Sequence, residues 1–193
     1  MKHPSNRELF DYWNERRGLR PAPTRADIEP SGIRNILGDT FVIETSHSQN
    51  HRFRIAGTRL CALFGRELKA ESFVMLWQQT WQTAVRELIA VLIDEKVGIV
   101  AGATAATSDD TLAPVHLEML LLPLAAQTRG EVHVMGTLSP METPYWLGAK
   151  AVGPLTLGMF RHVGSATMRA PQFRAGGGRL KHGFAVYDGG RVD

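Results

Sequence analysis

Cysteine is nearly missing from this chain: Cys61 stands alone among 193 residues. An intramolecular disulfide is therefore excluded, and no cysteine spacing suits a structural zinc. A reducing cytoplasm fits that usage. No apolar run is long enough to span a bilayer, and residues 1–20 lack the charged start and apolar stretch of a secretory signal. The expectation is a cytoplasmic protein without a membrane span. Nucleophile triads, a phosphate-cradling P-loop, a Rossmann glycine fingerprint and a zinc-protease helix are also absent. Charge of one sign is scarce too. The net charge is +3, and six basic residues against two acidic ones after residue 160 place the excess in the tail. That density falls short of a phosphate-binding patch, so nucleic acid is not an expected partner, and binding through the tail stands as an alternative function.

What is present suits one domain with a sizeable core and terminal extensions. Ser5-Asn6-Arg7-Glu8 fits a capping box and starts a helix, on which Leu9, Tyr12, Trp13 and Arg16 form one stripe before Gly18 ends it. An extended, proline-stiffened piece follows, and Asp27 is placed to cap a short helix carrying Ile33, Ile36 and Leu37. Residues 41–45 and 52–55 read as a hairpin around the polar turn 46–50. By strict alternation Phe53 and Ile55 share a face. Gly57 turns the second strand into a short helix that ends at Gly65, and residues 73–78 form another. The clearest periodic element is a helix over 79–97, with Trp81, Val85, Leu88, Ile89 and Leu92 at intervals of three and four. Three strands follow at 99–107, 115–124 and 131–138.

Two strands, a group of helices and three strands match the α+β fold of a PAS domain: a five-stranded antiparallel sheet with helices over one face, here preceded by an amphipathic helix. More closely, the chain resembles a family of small, mostly stand-alone PAS proteins of alphaproteobacteria. The resemblance rests on Tyr12-Trp13, the segment 23–30 (PTRADIEP), the strand-turn 53–58 (FRIAGT), Gly65 and the closing YDGGR of residues 187–191, and spans nearly the whole chain. Lys69-Ala70 departs from it, standing where such proteins often have a second glycine. The expected organisation is an N-terminal helical extension over 1–39, the PAS-like domain over 40–141, and a C-terminal extension over 142–193. Residues 148–183 of that extension, rich in glycine and arginine, are expected to be partly flexible, with Gly176-Gly177-Gly178 as a linker.

The resemblance implies a non-enzymatic sensory or regulatory protein, with a role such as motility or cell-cycle control. A PAS fold senses by enclosing a ligand between its sheet and its helices. The inward positions that would line such a site are Phe53, Ile55, Leu60, Phe64, Trp77, Trp81, Val85, Leu117, Met119, Leu121 and Val134. The same residues can equally pack as a filled core, which makes a ligand-free protein–protein adaptor the first alternative. The small-residue strand 101–106 leaves room opposite the long helix, and an apolar cavity there would suit a small hydrophobic molecule.

No cofactor is expected. The long helix has no histidine for a haem, and the asparagine- and glutamine-rich setting of a flavin-reactive cysteine is missing around Cys61, which reads as a small buried hydrophobe. His116, Glu118 and His133 could face one another across neighbouring strands as a metal site, so a small metal-dependent enzyme is a further alternative. Because Leu120, Leu122 and Met135 continue that face, it is expected to meet the N-terminal helix, with the polar residues on its rim. The stripe of Leu9, Tyr12 and Trp13 suits either the chain's own sheet or the helix or sheet of a second copy, and the expected partners are a second copy and a signalling protein that carries the output.

Overall fold

Pro4 and Gly18 bracket the first helix, α1 (Pro4–Arg17), in the computed structural model, which describes residues 1–45, 51–107, 112–126, 132–164, 179–181 and 184–186. Proline suits the first helical turn because it gives up only an N–H with no intrahelical partner. Arg16 and Arg17 place positive charge at the carboxyl end of the helix dipole. The expected Ser5–Glu8 capping box does not form. His3 takes the N-cap, its Nδ1 accepting from the Ser5 N–H at 3.2 Å, so Ser5 falls inside the helix with its hydroxyl free for another partner.

The extended segment after α1 joins the sheet margin, where Ala125 N–H donates to Pro23 O. Asp27 does not cap the turn Pro30–Ile33. As the third residue of the turn Arg25–Asp27 it closes a capping box on Thr24. Its carboxylate accepts from the Thr24 hydroxyl, the Thr24 N–H and Arg20, and these bonds lower its pKa to about 2. Ile33 and Ile36 are buried, whereas Leu37 is exposed.

Six strands form one fully antiparallel sheet: β1 (Thr40–Thr45), β2 (Arg52–Ala56), β3 (Gly98–Thr107), β4 (Val115–Leu124), β5 (Val132–Pro140) and β6 (Val152–Val163). Their order across the sheet is β2-β1-β5-β4-β3-β6. The expectation of five strands is one short. β6 runs antiparallel beside β3 through twelve residues that the glycine and arginine content of 148–183 suggested would lack rigid form. Its alternation is hidden by Gly153, Pro154 and Gly158, and its identity as a strand comes from long-range pairing with β3. Beyond it, β7 (Arg179–Lys181) pairs with β8 (Phe184–Val186). The turn 46–50, Gly176-Gly177-Gly178, residues 187–191 and most of the basic tail lie outside the described residues.

Between β2 and β3 come α2 (Thr58–Phe64), the turn Phe73–Leu76 and α3 (Gln79–Glu95). Gly57 is required at the entry to α2, since a Cβ there would strike the carbonyl oxygens of Leu37 and Gly38. Gly65 closes α2 in the left-handed conformation, at φ +63°. Ala70 adopts φ +68°, the backbone a glycine would hold at the point where the chain departs from the family pattern.

Helices cover both sheet faces. The inner face, under α2, the Phe73–Leu76 turn and α3, holds Phe41, Ile43, Leu117, Met119, Leu121 and Val134. On the outer face, Leu120, Leu122, Leu124 and Met135 pack with Leu9, Tyr12 and Trp13 of α1. Successive β4 side chains thus enter two different cores, which explains its nearly unbroken apolar sequence.

Candidate functional site

Most of the nominated ligand wall lies in the inner core. Phe53 on β2, Leu60 and Phe64 on α2, Trp77 after the short turn and Val85 on α3 are buried there. They join Leu117, Met119 and Leu121 of β4 and Val134 of β5. Trp81 is half-buried and packs at the margin. Ile55 is a correction: it is 46% exposed and does not face the core. Ile43 pairs with Phe53 while the adjacent Val42 pairs with Ile55, so Arg54 is an extra residue on β2. That bulge reverses the alternation after Phe53 and sends Ile55 to the outer side with Val42.

The volume between helices and sheet is occupied by aromatic rings. Phe41 and Phe53 meet edge-on with centroids 5.6 Å apart, Phe73 stacks on Phe41 at 5.4 Å, and Trp77 meets Phe73 at 6.1 Å. Ala101, Ala103 and Ala105 are buried in the same core. Their small side chains sit between the larger Met119 and Phe160, Leu117 and Leu157, and Val115 and Leu155 of the neighbouring strands. One polar atom stands out: the Trp77 Nε1–H is buried without a hydrogen-bond partner. Phe41 and Phe73 were not among the nominated residues, although Phe41 keeps step with Ile43 on β1.

His116, Glu118 and His133 are not brought together, which removes the geometry of the metal-enzyme alternative. The β4–β5 register sets His133 opposite Leu124 and Glu118 opposite Ser139, six residues along the strand from each other. At about 3.3 Å per residue, that is roughly 20 Å. Among the described residues no cluster of three or more His, Cys, Asp or Glu side chains is arranged to hold a metal. Cys61 is half-buried with Sγ 3.6 Å from Glu67 Oε1, and burial raises its thiol pKa, so it is not an activated nucleophile.

Glu118 has a different role, receiving the amino end of α1. Its carboxylate accepts from the Lys2 N–H at 2.8 and 2.9 Å, the His3 N–H at 2.7 Å and the Asn6 amide at 3.0 Å. Burial alone would raise its pKa, but the His3 and Lys2 N–H groups, the N-terminal ammonium and Asn6 outweigh burial and leave it lowered. Asn6 also accepts from the Thr137 hydroxyl at 2.6 Å. Next to it, the Ser5 hydroxyl donates to Asp39 Oδ2 at 2.8 Å, and Arg59 Nε and Nη2 grip Asp39 Oδ1 and Oδ2 at 2.8 Å each. At the other end of the helix, Trp13 Nε1 donates to Pro123 O at 2.9 Å and Tyr12 Oη accepts from the Glu29 N–H at 2.8 Å. Of the two covers expected for the stripe, the chain's own sheet is the one present here.

A cleft of about 270 Å3 opens beside this junction. Its polar wall comprises His3, Asp39, Arg59, Ser139 and Thr143, and its apolar wall Leu138, Pro140 and Leu147. Asp39, Arg59 and Ser139 carried no motif. The one trace of the junction in the sequence is Asn6, a polar residue three before Leu9 that extends the apolar stripe.

A six-stranded antiparallel sheet with α2, the Phe73–Leu76 turn and α3 on one face and α1 on the other fits the PAS class of sensory and regulatory domains. The family model described as PAS domain matches residues 1–139. The chain belongs to that family. The crystal structure of the PAS domain of an HTR-like protein from Haloarcula marismortui is similar over 57% of this chain and 90% of that one, at 13% identity and a TM-score of 0.36. Among curated proteins none matches. Among the described residues, no helix is long and apolar enough to cross a membrane.

Proposed function

We propose that this PAS protein is non-enzymatic and relays its state to a signalling protein by changing the contact between α1 and the outer sheet face. The observation that carries this reading is the seat of α1. An apolar stripe of Leu9, Tyr12 and Trp13 supplies the holding energy, and the Glu118–Asn6–Thr137 junction supplies the register. A seat of that kind has two discrete positions, closed on the sheet or released, and a partner that prefers one of them shifts the balance. Release would uncover Leu120, Leu122 and Met135, an apolar surface suited to a partner's amphipathic helix. Association of two copies would use other surfaces, such as exposed Tyr145 and Met159.

The test compares the parent chain with its Glu118→Gln variant after recovery from the native cell. The relay requires one specific protein whose recovery changes between the two, together with faster amide exchange in α1 of the variant. Equal recovery despite loosened α1 would overturn it.

A second reading, an interior site for a small apolar molecule, is supported by the Trp77 Nε1–H. A buried donor without a partner is unfavourable, and a ligand offering one acceptor would satisfy it. Native mass spectrometry distinguishes the readings, since a retained small molecule that a Trp77→Phe variant loses belongs to the second.

A further inference from the structure

The cleft at the amino end of α1 has an uneven supply of hydrogen-bonding groups. Ser139 is 1% exposed, yet its hydroxyl has no partner. Arg59 commits Nε and Nη2 to Asp39, and Nη2 also to Asn35 O, while Nη1 has no acceptor among the described residues. His3 accepts at Nδ1 from the Ser5 N–H, which places the proton of a neutral ring on Nε2. Thr143 adds an exposed hydroxyl. The lining therefore holds spare donors around a charge that is already balanced. Asp39 is matched by Arg59, and Glu118 by the N-terminal ammonium and the N–H groups that surround it.

We propose that this cleft binds a small monocarboxylate. The carboxylate accepts from Arg59 Nη1 and from the hydroxyls of Ser139 and Thr143, and its apolar body lies on Leu138, Pro140 and Leu147. Two carboxylates stand close by, so a dianion such as phosphate meets about twice the repulsion that a monocarboxylate meets there. The cleft, at about 270 Å3, is smaller than the roughly 300–1,000 Å3 of pockets for drug-sized ligands, which limits the acid to a short chain or a single ring. This site lies at the margin where the inner and outer layers meet, with Leu138 and Leu147 from the inner core and His3 from the segment that leads into α1, and its lining does not include Trp77. It does not rest on the α1 relay, because acid binding and partner recovery are read separately.

The experiment titrates the full chain with propionate and benzoate, and with benzamide and inorganic phosphate as controls, following backbone amides by NMR. Saturable shifts confined to residues around 3, 39, 59 and 138–143, given by the acids and not by the controls, are the expected result. Ser139→Ala should weaken acid binding by roughly tenfold or more, the effect of losing a hydrogen bond to a charged group, while thermal stability stays equal or rises. Arg59→Lys, which keeps the charge but not the fork, should also weaken it. The proposal is overturned if neither acid gives saturable shifts, if benzamide or phosphate binds as well, if the shifts map to the interior around Trp77, or if Ser139→Ala binds like the parent.

Discussion

The Thr137 hydroxyl donates to Asn6 Oδ1 across 2.6 Å, joining two residues 131 positions apart in the sequence. Both side chains are wholly buried. Asn6 simultaneously donates to Glu118, so one amide ties the first turn of α1 to two adjacent strands. Replacing Asn6 by Leu leaves the Thr137 hydroxyl without its acceptor and Glu118 without one donor. Unfolding in urea should show a loss of about 2–4 kcal/mol, since stranded buried polar groups cost about 1–3 kcal/mol each. Thr137→Val in the Asn6→Leu background should then cost little more.

The Glu118 carboxylate is favoured in the folded state, with its pKa held below the usual value of 4.5. A depressed folded pKa contributes stability that is present above the unfolded pKa and lost as pH falls through the folded one. The contact of α1 with the sheet should therefore weaken below about pH 4.5. Protection of α1 amides, taken relative to their intrinsic exchange rate at each pH, should fall across that range in the parent more steeply than in Glu118→Gln, where the carboxylate is already gone. Equal slopes would count against the assignment.

Trp13 is fully buried between α1 and the outer sheet face. Trp13→Ala should cost about 3–5 kcal/mol, as for other large-to-small substitutions of buried aromatics. The loss should be felt first in α1 and the segment over 22–36, so amide protection there should fall before that of β3 and β4.

Ala70 holds φ +68°, which an L side chain resists by about 1–2 kcal/mol. Ala70→Gly relieves that strain and costs some chain entropy in the unfolded state. A net gain of about 0.5–1 kcal/mol in a denaturant midpoint analysis is expected, and a destabilised variant would mean that the left-handed turn is not populated.

Periodicity made α1, α3 and the strands from β1 to β5 legible, because each carries a face that repeats at its own period. Ile55 shows where that reasoning stops. Alternation from Phe53 predicts an inward Ile55, but the extra residue Arg54 is visible only in the pairing with β1. β6 failed for the opposite reason: its glycines and proline weaken the local pattern, and partnership with β3 makes it a strand. The polar junction was the least legible part. Asn6 comes from α1, Asp39 from the turn before β1, and Thr137 and Ser139 from β5, and nothing in their immediate neighbours marks them as a group. The capping expectation at Ser5 failed because Asp39, distant in sequence, claims its hydroxyl.

With Met119 and Leu121 wedged into one hydrophobic cluster and Leu120 and Leu122 into the other, β4 behaves as a partition wall glued on both sides. Pushing such a wall from either room displaces furniture in the next. Between the core beneath α3 and the seat of α1 there is thus a single thickness of backbone.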